Sequence, residues 1–293
     1  MGSGIFTSAS YANYSTSKGK SYSYATGRVS GQVFEARRID ESLDPKKFRL
    51  RECANNDEHP NTVPVILGLD VTGSMGSACK ETAEALGVII TNLYKKFKDI
   101  EFCVMGIGDL SYDRAPVQMS QFESDVRIAE ALDKIYMEHG GGGNAFESYT
   151  AAWYMGLKRT KLDAFDKQGR KGIIITMGDE PLNPYLPMSS LNSNVGASEQ
   201  ADVETEELYK EASKKFDIYH IAVNSPDDSY SYYDKRIEES FGKLLGENFK
   251  VSSINNLANV IEEFITRSIE SGSGLILEQT NTNKVNENGE IEW

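Results

Sequence analysis

The sequence predicts an α/β fold: a doubly wound, mostly parallel sheet with helices on both faces, preceded by an N-terminal extension. Two patterns carry this prediction. From about residue 61, apolar runs of strand length alternate with segments of helical period, and such alternation implies right-handed crossovers between parallel strands. The leading runs are also apolar at successive positions, as expected of strands buried on both faces.

Residues 1 to about 30 are rich in Ser, Tyr, Gly, Thr and Lys and show little periodicity, a composition expected of a flexible or partner-ordered arm whose tyrosines could dock against something. Residues 31–60 are mixed and charged and read as an ordered lead-in, so residues 1–60 form the N-terminal extension. VPVILGLD at 63–70 is the first strand. The following ACKETAEALGVIITNLYKKF places Ala83, Leu86, Ile89, Ile90, Leu93 and Phe97 on one helical stripe. Next come IEFCVMGIG as a strand, then FESDVRIAEALDKIYM and NAFESYTAAWYMGLKRT as helices, then KGIIITMG as a strand. VETEELYKEASKKF (helix), FDIYHIAVN (strand), YDKRIEESFGKLLG (helix), FKVSS (strand) and NNLANVIEEFITRSIE (helix) complete a domain over 61–271. Residues 272–293 lose periodicity and read as a polar C-terminal tail. The Pro/Asn/Ser-rich stretch at 181–200 has the length of a disordered insertion or a functional lid.

Composition narrows the function. A net charge of −13 over 293 residues argues against a nucleic-acid surface, which needs a basic stripe, and against anionic membranes. No apolar stretch approaches the roughly 20 residues of a membrane span, and residues 1–24 lack the apolar core of a signal peptide, so a cytoplasmic location is expected. Cys53, Cys79 and Cys103 are widely spaced and odd in number, which fits free thiols in a reducing compartment.

Ligands of an open α/β sheet bind at the carboxyl ends of its strands. After the first strand stand Asp70, Thr72 and Ser74; after the second, Gly108 and Asp109; after KGIIITMG, Gly178-Asp179-Glu180. Gly140-Gly141-Gly142-Gly143-Asn144, with Glu147 beyond, precedes a helix. Taken singly these are ordinary strand ends and turns, and Ser74 could simply cap a helix. Taken together they are an oxygen-only donor set without His or Cys, which suits Mg²⁺ or Mn²⁺ and not zinc.

DVTGSM at 70–75 resembles the first segment of the metal-ion-dependent adhesion site of von Willebrand factor A (vWA) domains, Asp-x-Ser/Thr-x-Ser at the end of the first strand. The resemblance covers roughly residues 62–271 and implies a Rossmann-like vWA fold holding Mg²⁺ (or Mn²⁺ or Ca²⁺). It implies Asp70, Thr72 and Ser74 as first-loop ligands, Asn144 where the family's second-loop threonine falls, and Asp179 as the third-loop aspartate. Glu147 is a rival to Asn144. The third loop departs from the family's usual Asp-Gly order, since Gly178 here precedes Asp179. The glycine-run and Gly-Asp-Glu loops are similar to those of bacterial and phage-encoded intracellular vWA proteins. The implied function is a metal-dependent protein-binding module in which a partner's Asp or Glu completes the ion's shell. Residues 181–200 and the acidic face around Glu199 to Glu211 would shape partner choice. Family members commonly act beside other proteins, AAA+ ATPases among them, and the Ser/Tyr-rich arm is a candidate for self-association.

Two alternatives compete. In a haloacid-dehalogenase-like phosphotransferase Asp70 would be the nucleophile, and GDLSYD at 108–113 resembles that family's magnesium motif. It falls too early in the chain, no suitable lysine is evident, and the glycine run has no place there. The other alternative is a metal-free vWA scaffold.

Overall fold

The computed structural model describes residues 4–138, 146–224 and 235–273. Its centre is a six-stranded sheet of β1 (Val63–Asp70), β2 (Ile100–Ile107), β3 (Val117–Met119), β4 (Gly172–Gly178), β5 (Phe216–Asn224) and β6 (Phe249–Ser253). The spatial order is β6-β5-β4-β1-β2-β3, all parallel except the edge strand β3, which runs antiparallel to β2. The chain leaves β1 in one direction and later returns to β4 on its other side. The switch point of the doubly wound sheet therefore lies between the carboxyl ends of β1 and β4, the place where open sheets of this kind bind ligands.

Period-two alternation sends β1 side chains to two separate cores. Val65, Leu67 and Leu69 join the core built with α2 (Gly76–Lys96), α3 (Arg127–Asp133) and α6 (Leu257–Ser268), while Ile66 joins the core built with α4 (Thr150–Arg159) and α5 (Thr205–Lys215). The next position on the Ile66 side that carries a side chain, after Gly68, is Asp70. Alternation thus delivers a carboxylate to the α4 side of the strand's end.

The structure departs from the sequence reading most clearly in the N-terminal arm, in residues 181–200 and at the edge of the sheet. The N-terminal arm, expected to be flexible or ordered only by a partner, contains α1 (Ser8–Ser17), opened by a capping box between Thr7 and Ser10, and Tyr11 is buried with its hydroxyl donating to the Ala83 carbonyl of α2 at 3.2 Å. Tyr11, Tyr14 and Tyr22 dock within the chain, while Tyr24 stays exposed. Residues 181–200 are an ordered insertion and not a free flap: Tyr185–Leu186 pairs with Val203–Glu204, and the helix Met188–Val195 buries Leu191 and Val195. Asn194 Nδ2 donates to the Leu110 carbonyl at 2.9 Å, fastening that insertion to the loop after β2. Finally, β3 carries no signal in the sequence, because three residues are too few to show a period. The tail from residue 274 lies outside the described residues.

Candidate functional site

At the end of β1 the chain folds around the Asp70 carboxylate, which is fully buried. Oδ1 accepts from the Thr72 amide at 2.9 Å and from the Thr72 hydroxyl at 2.6 Å. Oδ2 accepts from the Tyr149 hydroxyl at 2.7 Å. Helix α2 begins only at Gly76, and its N-cap residue Met75 makes no side-chain capping bond. Ser74 is therefore not a helix cap. Its hydroxyl lies 3.5 Å from that of Thr72 and donates across the switch point to Asp179 Oδ1 at 3.1 Å.

Four of the five predicted ligands are thus drawn into one linked group: Asp70 and Thr72 in one turn, Ser74 beside them, and Asp179 from the end of β4. Asn144 and the glycine run at 140–143 lie outside the described residues. Glu147, the rival to Asn144, is buried and bridges to Leu182. The electrostatics mark the same place. Burial, and then the neighbouring Asp179 charge, push the Asp70 carboxyl above the ordinary carboxylate range, while the bonds from Thr72 and Tyr149 oppose the shift. Burial, with Asp70, Asp113, Asp109 and Glu180 around it, pushes Glu147 up as well. Glu180 is raised to about 7 by burial and by Asp179, with Arg236 opposing.

Tyr149 escaped the sequence reading. It is fully buried at the start of α4, and besides holding Asp70 it accepts the Glu180 amide at 3.2 Å, so it spans both strand ends. It also accounts for the glycine at position 178, since a Cβ there would stand 2.0 Å from the Tyr149 hydroxyl oxygen. The available signal was an aromatic residue two positions after Glu147 together with the glycine that ends KGIIITMG.

In the GDLSYD loop one oxygen of each carboxylate bonds to the loop's own backbone. The Ser111 amide donates to Asp109 Oδ1 at 2.7 Å, and the Asp109 amide donates to Asp113 Oδ2 at 2.7 Å. Asp109 Oδ2, Glu147 Oε2 and Glu180 Oε2 are buried without a hydrogen-bond partner among the described residues. No group of three or more His, Cys, Asp and Glu side chains among those residues is placed to hold a metal. The linked set of Asp70, Thr72, Ser74 and Asp179 is of another kind, two carboxylates and two hydroxyls. Hard oxygen donors of this type fit Mg²⁺ or Mn²⁺, and the mutual repulsion of Asp70 and Asp179 is what a cation would relieve.

No family description and no curated protein matches the sequence. Solved structures do resemble the fold. The pilus adhesin SpaC from Lactobacillus rhamnosus GG, in its open conformation, is 12% identical, with 74% of this chain and 30% of that chain covered and a TM-score of 0.47. The vWF domain of the type V pili tip protein Mfa5 from Porphyromonas gingivalis is 12% identical, with 73% of this chain and 97% of that chain covered and a TM-score of 0.45. The chain thus spans about 30% of the length of the pilus adhesin it matches. Among the described residues, no helix is long and apolar enough to cross a membrane.

Proposed function

We propose that the chain is a vWA-type protein-binding module in which Asp70, Thr72, Ser74 and Asp179 hold a divalent cation, Mg²⁺ or a close substitute. The observation that carries the reading is the Ser74–Asp179 hydrogen bond across the switch point, next to the buried Asp70–Thr72 pair. Bound there, the cation would supply a Lewis-acidic position for an acidic side chain of a partner. Thr72 and Ser74 are neutral donors, so the ion's charge would stay only partly compensated by the protein. Asn144 is the fifth ligand in this reading.

The reading is non-enzymatic. Three hydrogen bonds fix the orientation of the Asp70 carboxylate, and one oxygen each of Asp109 and Asp113 is engaged with the backbone of their own loop. A cytoplasmic setting is supported by the buried free thiols Cys53, Cys79 and Cys103. An AAA+ ATPase or a second copy of the chain is a candidate partner.

The test is affinity capture with the full chain as bait, in Mg²⁺ and in chelator, using wild type and Asp179→Asn. Proteins retained by wild type only in Mg²⁺, and not by the variant, are the expected result. Equal recovery under all conditions would contradict ion-dependent docking.

A further inference from the structure

Beside the proposed ion loop lies a cleft of about 330 Å³, within the range of about 300–1,000 Å³ typical of ligand pockets. Thr72 and Gly73 of the ion loop form one wall, Met137 another, and Val33 and Phe34 of the N-terminal extension a third. This last wall is built and not draped. Val33 and Phe34 pack against the core, Ala36 bridges to Tyr136, and Phe34 is held at φ 58°, a conformation a bulky residue adopts only when its surroundings impose it. Farther back, the extension is fastened to α2 by Arg28 Nη2 on Glu81 Oε2 at 2.6 Å. The opposite wall is equally tied, because the Glu138 amide donates to the Val71 carbonyl at 2.8 Å and Glu138 Oε1 accepts the Ala115 amide at 2.6 Å.

We infer that this cleft reads the residue flanking the partner's acidic side chain, and that the module's ligand is a segment in which Asp or Glu is followed by a large apolar residue. The inference rests on the ion-site reading above, and three features of the cleft point to this occupant. Thr72 and Gly73 belong both to the ion loop and to the cleft, so the cleft adjoins the place where a partner's carboxylate would meet the ion. Its side-chain walls at Val33, Phe34 and Met137 are apolar. Lys80, more than half exposed and only loosely paired with Glu84 at 3.9 Å, is the cationic group at its rim that an acidic segment could meet, whereas the Glu138 carboxylate is buried and already bonded. The N-terminal extension is therefore a specificity element of the site.

Gly76 offers a clean test. It lines the cleft, and a Cβ added there meets nothing within 4 Å, so Gly76→Leu fills the cleft at little cost to the fold. Phe34→Gly removes one wall while suiting the positive φ. Labelled Gly/Ser-based peptides carrying Asp-Leu, Asp-Phe, Asp-Gly or Gly-Leu would be titrated against the full chain in Mg²⁺ and in EDTA. The expectation is that Asp-Leu and Asp-Phe bind about tenfold tighter than Asp-Gly in Mg²⁺, the worth of one buried apolar side chain. Both variants should lose that preference while keeping the Mg²⁺-dependent rise in melting temperature. Mg²⁺-dependent binding of all Asp peptides without an apolar preference, or a preference untouched by Gly76→Leu, overturns the cleft assignment and leaves the ion site standing. No Mg²⁺ response in wild type and no Asp-dependent binding overturns both.

Discussion

The Tyr149 hydroxyl donates to Asp70 Oδ2 at 2.7 Å and accepts the Glu180 amide at 3.2 Å, so one side chain couples the ends of two neighbouring strands. Tyr149→Phe removes both bonds and leaves a buried carboxylate oxygen and a backbone amide unpaired. The expected loss of stability is about 1–3 kcal/mol, measurable by urea unfolding. Because the Tyr149 bond holds down the Asp70 proton affinity, the variant should also need more Mg²⁺ for half-maximal stabilisation at pH 6 than wild type does. Unchanged stability and Mg²⁺ response would show the bond to be incidental.

Gly178→Ala tests the same joint from the other side. A methyl group at 178 would stand 2.0 Å from the Tyr149 hydroxyl oxygen, with the ring carbons close behind, and the ring is walled in. Overpacking of this kind costs about 1–3 kcal/mol. The displaced Tyr149 should release Asp70, so that double substitution with Tyr149→Phe loses clearly less than the sum of the two single changes. Additive losses would mean that Gly178 and Tyr149 act separately.

A pH effect is expected from the opposite edge of the sheet. Glu101 is fully buried at the start of β2 with neither carboxylate oxygen hydrogen-bonded among the described residues, and its carboxyl is raised to about 7 by burial, with the neighbouring Cys53 and then His59 opposing and Glu123 adding a smaller rise. The folded state then holds a proton that the unfolded state releases near 4.5. Stability from this group is complete below that value and is lost as pH rises to about 7, a change of roughly 2–3 kcal/mol. Glu101→Gln should flatten that decline and be more stable than wild type at pH 8. A wild-type profile between pH 4.5 and 7 that the substitution leaves unaltered would contradict the assignment.

The parts legible in the sequence were those encoded locally. VPVILGLD could be read as a buried strand because both of its faces are covered, and Asp70, Thr72 and Ser74 could be read together because they share one turn. The pairing of Ser74 with Asp179 depends on strand order, which spacing alone does not determine. Tyr149 was hidden because an aromatic residue at a helix start is ordinary until its hydroxyl is seen to meet Asp70. The folded arm was hidden for a different reason. Its polar composition conceals that Phe6, Tyr11 and Val29 are buried by contact with α2 and its neighbours.

The account stands on the cation. Thermal unfolding of wild type, Ser74→Ala, Asp179→Asn and Asp70→Ala, each with and without Mg²⁺ or Mn²⁺, measures it most directly. Ser74→Ala and Asp179→Asn leave the buried Asp70 network intact, so a lost response in them cannot be blamed on a failed fold. Wild type should gain about 2.7 kcal/mol at an ion concentration about a hundredfold above its Kd, and each variant should lose most of that gain. A wild type indifferent to both ions, or a gain equal in wild type and all three variants, would contradict the site and leave a metal-free scaffold as the better description.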